Sequence, residues 1–243
     1  MPAPERVTRI AVISDVHGNL PALEAVLAEL DREGVDLVVS GGDVAMGPMP
    51  AECVDALRGL DRVLWVRGNA DRAAIPDRYA DHAHWVEEQL GPERIELIRG
   101  AEQSVSVTAD ELGDVLVCHG SPRSDEEILT KLSPESRVAP ALEGVAEGVV
   151  LHGHTHVQYD RHVAGRRLVC AGSVGIPYEG RRGAFWALLG PGVELRRTEY
   201  DVEAAVAAIR TTGYPGADEV TGWLLEPPDP DEISAFFEGN AGS

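Results

Sequence analysis

The sequence predicts an α/β fold in which short strands form a layered sheet covered by helices. Short apolar, β-branched runs recur along the chain: "RIAVIS", "DLVVS", "RVLWVR", "DVLVCHG", "GVVLHG", "RLVCAG" and "AFWALLG". Such continuous runs between turn residues are the pattern of strands buried on both faces. Stretches with apolar residues at helical spacing separate the first of these runs. From about Gln103 onward, polar turns join neighbouring runs instead, so the second half is expected to be mainly antiparallel.

After the first run, Leu20, Leu23, Val26, Leu27 and Leu30 fall on one helical face. Asn19 is placed to cap that helix, Pro21 sits in its first turn and Gly34 stops it. "ECVDALRGL" after the second run reads as another amphipathic helix, and "HAHWVEEQLGPERIELIRG" after the third holds two short ones. "QSVSVTADELGDVLVCHG" and "QYDRHVAGRRLVCAG" read as hairpins. Beyond about Tyr200 come an Ala-rich helix, "DVEAAVAAIRTTG", and an acidic, proline-rich stretch ending in a short helix, "LEPPDPDEISAFFEGN". The expected organisation is a main domain over residues 1–199 and a helical appendage over 200–243, packed on the same domain or on a partner subunit.

The chain has 243 residues, 44% of them hydrophobic, enough to bury a substantial core. Lys and Arg number 21 against 41 Asp and Glu, a formal charge of -20. That balance disfavours long nucleic acid and anionic membrane surfaces as partners. An anionic substrate would need positive charge supplied inside its site. Cys53, Cys118 and Cys170 form no C-x-x-C pair, which signals neither a disulfide framework nor a zinc ribbon. With no apolar run of signal-peptide or membrane-span length, the expectation is a soluble cytoplasmic protein.

Reactive residues cluster where the runs end. Asp15 and His17 follow the first ("SDVHGN"), Asp43 the second ("GGD") and Asn69 the third ("RGN"). His119 follows a later one ("CHG"), and His154 and His156 another ("HGHTH"). In an open α/β sheet the carboxyl ends of the strands line one edge, where ligands bind. Taken singly, D-x-H is common and GD is often a turn. H-x-H says more, because alternate residues of an extended segment point the same way. Two Asp, one Asn and four His together form a ligand set for divalent first-row metals, needing no thiolate. Seven ligands are too many for one tetrahedral ion and suit two ions roughly 3.5 to 4 Å apart that share a carboxylate. Gly18, Gly42, Gly68, Gly120 and Gly153 adjoin these residues and allow tight turns there.

In this order, D-x-H, GD, GN, a single His before Gly, and GHTH, the motifs resemble those of the calcineurin-like metallophosphoesterases. The resemblance spans about Arg9 to Leu189, and "DVHGNLPALEAVL" and "AGSVGIP" are most similar to the small bacterial and archaeal phosphodiesterase branch. It implies a two-sheet β-sandwich flanked by helices in four αββα layers. It also implies that Asp15, His17 and His156 hold one metal, that Asn69, His119 and His154 hold the other, and that Asp43 bridges them. Many members carry a histidine after GN, placed to protonate the leaving oxygen or to stabilise the transferring phosphoryl group. Here that position is Ala70.

His152 is a candidate replacement acid, with packing as its ordinary reading. Arg123, in "CHGSPR", is a candidate phosphate ligand, whereas Arg67 and Arg72 read as partners of surface acids. His82 and His84 are expected on a helix surface, Cys118 as a small buried hydrophobe. Asp71 is expected to back the site or cap the segment that follows.

The function implied is a dinuclear-metal-dependent phosphoesterase, most simply a phosphodiesterase on small esters or nucleotides. Two divalent ions, Mn, Fe, Ni or Zn, would lower the pKa of a bridging water, and the resulting hydroxide would attack phosphorus in line. The alternatives are a phosphomonoesterase or dinucleoside polyphosphate hydrolase using the same residues, and, in another class, a catalytically silent interaction scaffold. A homo-oligomer is left open.

Overall fold

The structure is a computed structural model that describes residues 8–72 and 77–241. The outermost residues of the two expected segments, 1–7 and 242–243, lie outside it. Strands β1 (Ile10–Ile13), β2 (Leu37–Ser40) and β3 (Val63–Trp65) run parallel. On the other side of β1, β9 (Ala184–Leu189) and β10 (Val193–Thr198) join antiparallel, giving the order β10-β9-β1-β2-β3. The second sheet has the order β4-β5-β6-β8-β7, from β4 (Ser104–Ala109), β5 (Gly113–Cys118), β6 (Val149–His152), β7 (Tyr159–Val163) and β8 (Arg166–Cys170).

The alternation of side chains in these strands builds the layers. Ile10 and Val12 of β1 and Leu37 and Val39 of β2 face Val115, Val117, Leu151 and Val169 of the other sheet, forming the interior of a sandwich. Ala11 and Ile13 point the other way, into a core shared with α1 (Leu20–Glu33), α2 (Pro50–Arg58) and α3 (Ala80–Arg99). Leu116, Val150 and Leu168 pack outward against Val138 and Leu142 in and beside α4 (Glu135–Ala141). The result is the four-layer αββα architecture expected.

Local signals hold where their chemistry is local. Asn19 caps α1 by accepting the Ala22 N–H, Pro21 lies in its first turn, and Gly34 closes it in the left-handed conformation at φ 64°. Within α3, Gly91 leaves helical geometry at φ 69°, ψ 167° just before Pro92, so the segment is two short helices in tandem. The expectation of a mainly antiparallel second half holds for β4 with β5, β7 with β8, β9 with β10 and β9 with β1, but not throughout. Of the four pairings in the second sheet, β5 with β6 and β6 with β8 are parallel. A hairpin signal reports only the partner across its own turn, here β4 for β5 and β7 for β8. It carries no information on which strand docks on the far side.

The chain beyond Tyr200 enters the same core as α1. Val202, Val206 and Ile209 of α5 (Val202–Ile209) and Val220 and Leu224 of α6 (Ala217–Leu225) belong to it. The last helix, α7 (Pro230–Asn240), is held by polar contacts instead. Glu238 accepts from Thr130 and Ser133 at 2.6 Å each and pairs with Arg137, and Asp231 pairs with Lys131. Among the described residues no helix is long and apolar enough to cross a membrane.

Asn19 does more than cap. Fully buried, it also donates to the Gly175 carbonyl at 2.9 Å, tying α1 to the loop between β8 and β9. Asn19→Ala should therefore cost about 2–4 kcal/mol, a lost cap plus a stranded buried carbonyl. Urea denaturation of the two proteins checks this, and a cost well under 1 kcal/mol would refute the double role.

Candidate metal centre

Because β1, β2 and β3 are parallel, as are β5 and β6, their carboxyl ends open on one edge of the sandwich. The segments leaving that edge bend sharply. Seven described non-glycine residues have positive φ, and five of them are Asp15 (56°), His17 (46°), Asp43 (53°), His154 (67°) and His156 (58°). Such a conformation costs of order 1 kcal/mol or more per residue and persists only where surrounding contacts over-determine it. Here they do. Asp15 N–H donates to Gly42 O and His17 N–H to Asp43 O, both at 3.0 Å, while Asp15 O accepts the Gly175 N–H at 2.9 Å. Gly68 and Gly153 are required by close approach: a Cβ on the first would fall on the Asp43 carboxylate, and on the second on Ser14 and Asp15.

The histidines are fixed by their far nitrogens. Nδ1 of His17 donates to Met46 O at 3.1 Å, Nδ1 of His119 to Gly41 O at 2.8 Å, and Nδ1 of His156 to Ile176 O at 2.6 Å. A carbonyl can only accept, so each neutral ring presents a bare lone pair at Nε2. These lone pairs converge. His17 Nε2 and His156 Nε2 are 3.2 Å apart, and His119 Nε2 is 3.0 Å from Asn69 Oδ1. Asp15 Oδ1 lies 3.1 Å from His156 Nε2 and 3.9 Å from those of His17 and His119. Asp43 Oδ2 lies between His119 (3.4 Å) and His17 (3.8 Å). The remaining carboxylate oxygens are tied back, Asp43 Oδ1 by Ala70 N–H at 2.8 Å and Asp15 Oδ2 by His154 N–H at 3.0 Å.

Acceptors thus face acceptors, and Asp15 Oδ1 is buried with no hydrogen bond of its own. Only cations resolve this arrangement at low cost. The residues fit divalent metal in two groups, Asp15 with His17 and His156, and Asp15 with Asp43 and His119. Without metal a proton substitutes. Burial alone would lower the pKa of His119, but Asp43 and Asp15 outweigh it and push that ring up to about 10. Burial would likewise raise the two carboxyls, yet His156 and His119 hold Asp15 well below its usual range and His119 and His17 hold Asp43 near about 2. His154, desolvated and next to His119, falls to about 4.

The structure brings Asp15, His17, Asp43, His119 and His156 together, with Asn69 against His119. His154 meets the cluster through its ring, edge-on to His119 at 5.1 Å, and through its N–H on Asp15. Asp71 accepts from the N–H groups of Asp43 (2.8 Å), Gly68 (2.9 Å) and Val44 (3.3 Å), bracing both turns.

Two of the candidates have other partners. His152 is 1% exposed, with Nδ1 on Gly153 O at 3.0 Å and Nε2 on the Tyr159 hydroxyl at 2.5 Å. Burial and then His154 push it down to about 3, and with both nitrogens engaged the ring fits its packing reading. Arg123, half exposed, is paired with Glu127 through Nε at 2.9 Å and Nη2 at 2.5 Å and donates to Pro140 O. Arg72 pairs with Asp125 and Glu126, and Arg67 reaches Arg99 O and Asp125. His84 is exposed on α3 beside Glu88, whereas His82 meets the Tyr214 hydroxyl at 3.2 Å. Cys118 is wholly buried, its thiol pushed up by desolvation. Unforeseen was Tyr178, whose ring stacks on His156 at 4.8 Å and 26°.

Residues 8–189 match the family described as calcineurin-like phosphoesterase superfamily domain. An uncharacterized protein of Methanocaldococcus jannaschii is 27% identical over 230 residues, covering 82% of this chain and 91% of its own. A crystal structure of a metallophosphoesterase from Sphaerobacter thermophilus superposes with a TM-score of 0.74 at 29% identity, over 91% of this chain and 99% of that one. A hypothetical protein from Pyrococcus horikoshii gives a TM-score of 0.77 at 25% identity with the same coverage.

Loading the centre must displace the proton on His119. At pH 7.5 metal binding should release about one proton per chain, and affinity should climb with pH toward about 10. The same raised pKa stabilises the metal-free fold below the unfolded value of 6.5, a contribution lost as pH rises through about 10. Calorimetric titrations with Mn or Zn in buffers of different ionisation enthalpy measure the release. A value of zero would contradict the charge assignment.

Proposed function

The chain belongs to the calcineurin-like phosphoesterase superfamily, and from that premise we propose that it is a dinuclear-metal-dependent phosphodiesterase acting on small phosphate esters or nucleotides. The observation that carries this reading is the confrontation of three Nε2 lone pairs, two carboxylates and the Asn69 oxygen at one sheet edge. Asp15, His17 and His156 would hold one ion, Asn69, His119 and His154 would hold the other, and Asp43 would serve both. When bound, two such ions supply an activated water and neutralise phosphoryl charge.

The chain's own groups do the rest. The Met46, Gly41 and Ile176 carbonyls fix the three histidine tautomers, and the N–H groups of Ala70 and His154 aim Asp43 and Asp15. Two observations favour a diester over a monoester. Arg72 pairs with Asp125 and Glu126 and Arg123 with Glu127, so neither is the unengaged arginine that a dianion would call for. Ala70 has no proton to give a leaving oxygen. A compact monoanion also suits a protein of charge -20, and three buried free cysteines suit a reducing cytoplasm.

Assays after chelation and reconstitution with Mn, Fe, Ni or Zn should show metal-dependent hydrolysis of an activated diester, exceeding that of the matching monoester and of dinucleoside polyphosphates. Asp43→Asn should abolish binding of two ions per chain, while His17→Ala should spare one. Absence of both divalent metal and turnover in the reconstituted parent would favour the scaffold reading.

General acid help is typically worth about 10²- to 10⁴-fold and matters most for poor leaving groups. Lacking it at Ala70, the protein should turn over aryl diesters well and alkyl diesters poorly, with a steep dependence on leaving-group pKa. Ala70→His should help alkyl diesters more than aryl ones. Equal chemical-step rates for both classes in the parent would show that another acid operates.

A further inference from the structure

We propose that the Tyr178 hydroxyl is a substrate-binding group of this centre, donating to a non-bridging phosphoryl oxygen, and that the C-terminal helices hold it there. This rests on the phosphoesterase reading above. Tyr178 follows the loop "AGSVGIP", and its backbone N–H donates to His156 O at 3.1 Å. One face of its ring lies on the His156 imidazole at 4.8 Å. Trp223 of α6 meets it edge-on at 5.9 Å and Phe237 of α7 at 6.5 Å. The ring is clamped between a proposed metal ligand and two aromatic residues contributed from beyond residue 189, outside the region matched to the family.

Its polar end is free. The hydroxyl makes no hydrogen bond to a described residue and is not sealed from solvent. A phenol is a protonated donor at neutral pH, and an amphipathic ring normally finds a partner for its hydroxyl. The other donors considered for phosphate are engaged elsewhere: Arg123 on Glu127, Arg72 on Asp125, His152 on Tyr159 and Gly153, and the Ala70 N–H on Asp43. An uncommitted donor rigidly fixed beside the metal ligands is what an orienting contact to a phosphoryl oxygen requires.

The test compares the metal-loaded parent with Tyr178→Phe, which keeps the stack and removes the hydroxyl. Inorganic phosphate binding is measured by calorimetry, metal content by elemental analysis, and kcat/KM with an aryl diester. The expected result is about 10-fold weaker phosphate binding and a similar fall in kcat/KM, with both ions retained. Tyr178→Leu, which also removes the stack, should in addition weaken one metal site. Parent-like phosphate binding in Tyr178→Phe overturns the proposal, and so does loss of metal in that variant, which would make Tyr178 a positioning residue for His156. A parent that loads metal yet neither binds phosphate nor hydrolyses any ester brings down the phosphoesterase reading and this proposal together.

Discussion

Like-polarity groups forced into one small volume are the constraint on which the rest of this structure depends. Two buried carboxylates and three imidazole lone pairs would repel one another and lack water. The chain gathers them all the same, on turns whose backbone is itself unfavourable at Asp15, His17, Asp43, His154 and His156. Both costs have to be met by the remainder of the fold. The sandwich interior and the helix-facing core provide the rigidity, and each turn is pinned by hydrogen bonds from a neighbouring strand end. Local instability at a site, held by surplus stability elsewhere, is the usual mark of a centre that awaits a partner.

Those same turns made the centre readable in advance. Each candidate ligand follows a short apolar run, and most adjoin a glycine, so strand end, turn and reactive side chain coincide within a few residues. Helix limits were readable for a similar reason: Asn19, Gly34 and the Gly91-Pro92 break act on their immediate neighbours.

What stayed hidden depends on contacts distant in sequence. The parallel docking of β8 on β6 leaves no trace in the hairpin that contains β8. Tyr178 meets His156 only because the loop between β8 and β9 returns to the centre. His152 is silenced by Tyr159, seven residues on, across a fold in the chain. Arg123 is different. Its partner Glu127 is only four residues on, but the two lie outside any helix, so no regular periodicity announces the pair.

The sharing of one core by β1, α1, α5 and α6 bears on where this chain can be cut. The match to the family covers residues 8–189, which invites trimming the gene at its end for expression or fusing a reporter in place of the tail, although relatives align over 82% and 91% of this chain. Such a truncation would strip Val202, Val206, Ile209, Val220 and Leu224 from the apolar surface they cover and leave it open to water. A sticky, aggregation-prone fragment is the physical expectation for a bared patch of that kind. The end of the family match and the end of the folded unit are therefore different, and tags belong beyond α7.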